Sequence, residues 1–153
     1  MQIYRLCKER YSATVLSGEG GLHADGRWHT QGQPIVYCAS SEALAVLELR
    51  VHFGNFLPRD PLTMHAIDVP DSLVESIALD TLPAACNAVP HSSISQGLGD
   101  AWLAQRRSAA LRVPALHSAT EFNVLLNPRH DLRSSITVRR TWTCRFDPRL
   151  IAP

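Results

Sequence analysis

Arg27, Tyr37 and Glu48 are the residues of this chain best placed to share one piece of chemistry. Arg27 lies in a glycine-flanked loop, Tyr37 in the short apolar run Ile35-Val36-Tyr37-Cys38-Ala39, and Glu48 in the helical stretch that follows. Leu44, Leu47 and Val51 recur at i, i+3 and i+7 and predict the buried stripe of that helix. Glu48 lies only about 40° around the helix from Leu44 and so shares the stripe. A carboxylate on an apolar face must find a partner or face a cleft, since burying its charge alone is costly. Two arrangements meet that demand. Glu48 sits at the stripe's edge, ion-paired or reaching water, or it is a cleft acid that Tyr37 and Arg27 approach from the preceding strand and loop.

The elements that must position these residues follow from local chemistry. Pro34 opens the strand, and its β-branched and aromatic residues favour extended pairing. Ser40 or Ser41 can cap the helix, and Glu42 in its first turn suits the positive end of the helix dipole. Ile3 to Leu6 predicts a first strand, with Arg5 either solvated or pointing into a cleft. The segment SGEGGLHADG (17–26) is a turn-rich loop. Its glycines could let backbone N–H groups approach a phosphate, but no strand–GxGxxG–helix order is present.

Downstream, residues 54–61 predict a turn and 63–69 a strand with His65, Ile67 and Val69 on one face. Residues 73–97, broken by Pro83 and Pro90, predict short irregular pieces. Asp100 is expected to cap a helix running to Arg112, with Trp102, Leu103, Ala109 and Ala110 inward and Arg106 and Arg107 solvated. Pro114 holds its neighbours extended. Residues 122–128 predict a strand or short helix, and 136–146 the last strands, with Val138, Arg140 and Trp142 on one face. Strands at both ends, with helices between and no regular crossovers, predict an α+β fold.

The composition narrows the function classes. With 153 residues, 45% hydrophobic and 19% charged, the chain is an ordinary globular sequence, expected to form one domain over 1–153. A formal charge of +1 argues against direct nucleic-acid binding by bulk electrostatics. No apolar run approaches the roughly eighteen residues of a membrane span, so a cytoplasmic, membrane-free protein is expected. Cys7, Cys38, Cys86 and Cys144 lack metal-like spacing, and the seven histidines include no zinc-helix pair. Free thiols and no metal are the expectation.

Taken in order, the motifs resemble the RES-domain family, toxins of bacterial toxin–antitoxin pairs named for an arginine, a glutamate and a serine. They are YRL (4–6), SGEGGL (17–22), GRWH (26–29), G-x-P-x-VY (32–37), S-x-x-x-A-x-x-E (41–48) and VH (51–52). LRVP (111–114), N-x-LLNP (123–128) and FDPRL (146–150) complete the set. The resemblance implies a compact fold similar to the ADP-ribosyltransferase and diphtheria-toxin-like catalytic core. It also implies NAD as substrate rather than resident cofactor, cleaved by hydrolysis or phosphorolysis. By motif match, Arg27 is the family arginine, Glu48 the glutamate and Tyr37 an active-site tyrosine. Arg5, Arg27, His29 and Asn123 become substrate-binding positions. Cleavage of the nicotinamide–ribose bond builds oxocarbenium character, which a carboxylate such as Glu48 can stabilise. Arg27 suits the diphosphate, and Tyr37 can stack on nicotinamide.

The sequence departs from the family at one position. Where the family reads VPS, this chain has Ala115, with Ser108 and Ser118 nearby but off the motif. The family also implies a neutralising Xre-like helix-turn-helix antitoxin in an oligomeric complex. Two other functions compete with an NAD-consuming toxin: a mono-ADP-ribosyltransferase acting on protein, and a catalytically weakened binding module, the latter favoured by Ala115.

Overall fold

The computed structural model describes residues 1–53, 60–77, 81–145, 147 and 149. Its frame is one seven-stranded mixed sheet: β1 (Gln2–Lys8), β2 (Val36–Ala39), β3 (Leu62–Asp68), β4 (Val74–Ser76), β5 (Ala110–Pro114), β6 (Phe122–Leu126) and β7 (Thr137–Cys144). The spatial order is β4-β5-β6-β2-β1-β3-β7, antiparallel throughout except for the β4–β5 pair. The helices are α1 (Gly20–His23), α2 (Glu42–Phe53) and α3 (Ser93–Gln105). The α+β expectation holds.

The join at the centre of the sheet is thin. β1 pairs with β3 along its whole length, from Gln2–Asp68 to Lys8–Leu62, and β2 pairs fully with β6. Between β1 and β2 only Tyr4 and Ala39 are paired. The sheet is therefore two ladders, β4-β5-β6-β2 and β1-β3-β7, meeting at one point. Strand alternation puts Tyr4, Leu6, Ala39, Leu111 and Leu125 on the face that carries α2 and α3. The opposite face buries Ile3, Val36, Cys38, Ile67 and Val124, closed by Leu16, Leu73 and Ile136 from connecting segments.

Four expectations are corrected. In α2 the inward residues are Leu44 and Ala45, with Val46 and Leu49 packed beside them, whereas Leu47 (40% accessible) and Val51 (52%) face out. The helix is apolar at most of its positions, so two stripes fit its periodicity, and the small Ala45 lets one of them sit closest to the sheet. Glu48, at i+4 from Leu44 and i+3 from Ala45, is still on the inner side. Second, α3 begins at Ser93, not after Asp100. Ser92 is its cap, accepting from the Ser95 N–H, and Arg106 closes it in the left-handed conformation (φ 50°). Gly97 and Gly99 read as loop signals, but a Cβ at Gly99 would lie 1.8 Å from the Trp28 carbonyl oxygen, so the glycine permits helix-to-loop contact.

Third, Ala109 and Ala110 are buried as expected but Ala110 opens β5, not a helical turn. Fourth, an irregularity between Ala66 and Ile67 puts Val138 opposite Ile67 and Arg140 opposite Ala66, so Val138 leaves the face shared by Arg140 and Trp142. Most of the expected turn over 54–61 and of the FDPRL motif falls outside the described residues. No described helix is long and apolar enough to cross a membrane.

Candidate active site

Glu48 is delivered by a short, well-defined path. β2 ends at Ala39, and Ser41 caps α2 by accepting from the Leu44 N–H at 3.1 Å. Glu48 then lies one turn beyond Leu44, half-buried against the sheet. From β6, Asn123 sits directly opposite Ala39 and donates through Nδ2 to Glu48 Oε1 at 2.7 Å. This bond to an ionised acceptor is of the stronger kind and fixes the carboxylate's orientation. Among the described residues no cation pairs with Glu48. Asn123 Oδ1 is buried and has no partner among the described residues, and the same holds for Arg5 Nε and Ser12 Oγ. A buried acceptor with no donor among the described residues is a place for a donor from outside.

Tyr37 lies two residues before Ala39 and on the same face, diagonal to Asn123, a relation that spans roughly 7–8 Å between Cα atoms in a sheet. Its hydroxyl accepts from the Trp28 N–H at 3.1 Å and lies 2.9 Å from His29 Nδ1. His29 Nε2 is 3.0 Å from the Ala24 carbonyl, so the ring proton belongs on Nε2, and the Tyr37 hydroxyl donates to Nδ1. Burial is the main cause that lowers the His29 pKa and raises that of Tyr37 far above the phenolic value. Both are neutral groups that shape the 24–29 loop. Gly26 completes it, since a Cβ there would come within 2.9 Å of Tyr37 Oη.

Arg27 projects from that loop, and its Nη1 donates to the carbonyls of Cys86 (2.7 Å) and Ala88 (3.0 Å). It therefore clasps the 3-10 turn Ala84–Asn87 and the residue after it, while Nε and Nη2 make no bond among the described residues. Asp25 fastens the same region, accepting from Gln96 Nε2 and lying 3.1 Å from His91 Nε2. Arg5 points to the face opposite Glu48. Its Nη1 donates to the Tyr37 carbonyl at 2.7 Å, in the gap where β1 and β2 part.

Of the expected site residues, the structure thus joins Glu48 with Asn123 and Tyr37 with His29 on one face. Arg27 is on the flanking loop and Arg5 beneath the sheet. Ala115 is buried with Ala39, Leu44 and Ala45, against the turn of α2 that precedes Glu48. Neither nearby serine bonds Glu48: the Ser108 hydroxyl accepts from Trp102 Nε1 at 2.8 Å and lies 3.5 Å from Glu75 Oε2, and Ser118 Oγ accepts from the Glu121 N–H at 3.2 Å. One supporting contact had no sequence signal. Asp100 takes the Thr30 N–H (3.0 Å) and hydroxyl (2.8 Å), pinning the loop to α3.

The family model for the RES domain matches residues 2–147. The chain belongs to the RES domain family. This RES domain is 35% identical over 152 residues to the protein named Toxin Res of Photorhabdus laumondii, covering 99% of this chain and 97% of that one. It is 38% identical over 145 residues to the Prs ADP-ribosylating toxin of a Sphingobium species, covering 92% and 89%. Among solved structures it is similar in fold to a chain of the M. tuberculosis MbcT–MbcA toxin–antitoxin complex. There the TM-score is 0.78 at 20% identity, over 94% of this RES domain and 83% of that chain.

Proposed function

We propose that this RES domain is the toxin of a toxin–antitoxin pair and consumes NAD by cleaving the nicotinamide–ribose bond. The observation that carries this reading is the Glu48–Asn123 pair: an oriented carboxylate beside a buried carbonyl, the first with no cation and the second with no donor among the described residues. Ribose hydroxyls or the nicotinamide amide would supply the missing donor to Asn123 Oδ1. As the bond to nicotinamide lengthens, Glu48 stabilises the positive charge that grows on the ribose. Tyr37, its hydroxyl committed to the loop, offers its ring for stacking. Arg27 keeps two nitrogens for the diphosphate while its third holds the 86–88 carbonyls. Arg5 supports from below by fixing the Tyr37 backbone. The parting of the two ladders at Tyr4–Ala39 is consistent with a kinship to the ADP-ribosyltransferase core.

The test is to incubate the purified protein with NAD, with and without inorganic phosphate, and identify the products. Free ADP-ribose means hydrolysis, and ADP-ribose 1″-phosphate means phosphorolysis. Intact NAD in every condition would refute the reading. A second reading, transfer of ADP-ribose to a protein, is favoured by the relative named an ADP-ribosylating toxin. Label retained on macromolecule rather than in solution distinguishes it. The expected partner is a helix-turn-helix antitoxin, and a co-purifying complex holding more than one copy of this chain is the expected form. Free NAD is expected to survive in that complex.

A further inference from the structure

The two edges of the sheet differ in a way that the site does not explain. β4 is a three-residue edge, whereas β7 is eight residues long and pairs only with β3 among the described residues. Residues 137–141 of β7 are exposed on both faces. An open edge of this length is a template for another strand. The irregularity at Ala66/Ile67 takes Arg139 out of the ladder, and it bonds Asp68 at 3.1 Å. From Arg140 to Cys144 the register with β3 is unbroken, so this stretch is the usable edge.

The chemistry of the edge selects its partner. Residues 137–145 hold Arg139, Arg140 and Arg145 and no carboxylate. The Arg140 guanidinium lies 4.9 Å over the Trp142 ring and forms no ion pair among the described residues. Beside it, on the α2 face, is a groove of about 190 Å³ whose walls include Tyr4, Glu42, Ala66, Arg140 and Trp142. A second copy of this edge would bring arginine against arginine, which is unfavourable across strands. We propose that β7, over Arg140–Cys144, receives an extended acidic segment of a partner polypeptide as an eighth strand. One of its carboxylates faces Arg140, and an apolar side chain two residues along, on the same face, fills the groove beside Trp142.

The probe is an eight-residue peptide repeating Glu-Thr-Val-Thr, which puts Glu and Val on one face, set against the same peptide with two internal prolines and one with Lys for Glu. Trp28 and Trp102 are buried, so a peptide-dependent change in tryptophan emission that disappears in Trp142→Phe reports on this edge. The expected result is saturable, salt-weakened binding by the acidic peptide alone, with slowed amide exchange at alternate residues of 140–144. Arg140→Gln and the doubly reversed R140E/R145E should weaken it by tenfold or more while NAD turnover stays unchanged. Three results would overturn the proposal: no saturable binding, equal binding of the proline peptide (charge attraction without strand pairing), or protection of the β7 amides by self-association of the protein alone.

Discussion

Two polar clusters sit on opposite faces of the same sheet, and they differ in access and in unspent bonding capacity. Beneath the sheet, Cys7 Sγ lies 3.6 Å from His65 Nε2, and His65 Nδ1 lies 3.2 Å from the Thr141 hydroxyl. By residue type this is a nucleophile, a base and an orienting group. Cys7 and His65 are only 8% and 2% accessible, however, and burial raises the thiol pKa and lowers the imidazole pKa. Both are held neutral, and both ring nitrogens of His65 have partners. Above the sheet, Glu48 and Asn123 are half-buried, and Asn123 has an acceptor that none of the described residues fills. Proximity of reactive types does not make a site; access and unspent bonding capacity do.

The contrast can be broken most sharply at Glu48. Glu48→Gln keeps the shape and a hydrogen bond to Asn123 but removes the charge, so NAD loss should fall by about a hundred- to a thousandfold. Circular dichroism and melting should be unchanged, and undiminished turnover in a folded variant would remove Glu48 from catalysis. Asn123→Ala should be the next largest effect. A hydrogen bond to a charged group contributes roughly 1.5–3 kcal/mol, so a drop of about tenfold to a hundredfold in kcat/KM is expected. A kcat/KM equal to wild type would show that Glu48 needs no orienting bond.

Ala115→Ser should move activity the other way. A hydroxyl against Ala39 and the first turns of α2 brings a donor toward Asn123 Oδ1 or Glu48, and one such bond is worth roughly a few- to tenfold. Matched rates for the two proteins in an NAD-loss assay would mean that this family member dispenses with the serine. The smallest effect is expected beneath the sheet. Cys7→Ala should leave turnover within about twofold and cost about 1 kcal/mol of stability by urea unfolding.

The two buried histidines, one on each side of the sheet, should show themselves in acid. His29 and His65 have pKa values below the ordinary imidazole value in the folded state, so the unfolded chain takes up their protons first. Their neutral burial is without penalty at high pH, and stability is lost as pH falls below about 6.5 toward the lowered values. His65→Gln should flatten part of that acid limb in melting curves taken across pH 7 to 4. An unchanged slope would mean that His65 is protonated without cost.

Much of this was legible in the sequence where local chemistry and tertiary packing agree. β1, β2 and β3 and the Ser41 cap follow from β-branching, proline and a hydroxyl at the right place. Legibility failed where a distant contact decided the outcome. Asp100 reads as a cap, yet it lies inside α3, where the neighbouring Gly99 leaves the Trp28 carbonyl the space that a side chain would fill. Leu47 and Leu44 are equal by periodicity, and only the sheet beneath α2 ranks them. The site divides in the same way. Glu48 stands out from the apolar face of its own helix, whereas its partner Asn123 becomes visible only when β6 is laid against β2.

That last separation also has a meaning in time. Glu48 and Asn123 are 75 residues apart in the chain, and their bond needs β6 in place beside β2. At a synthesis rate of about 5–20 residues per second, Asn123 leaves the ribosome's catalytic centre roughly 4–15 s after Glu48. During that interval the nascent chain can pair β1 with β2 and β3 and form α2, but the carboxylate has no orienting amide. The pair closes only once β6 has been made, so a chain whose translation aborts before Asn123 carries Glu48 without its orienting amide.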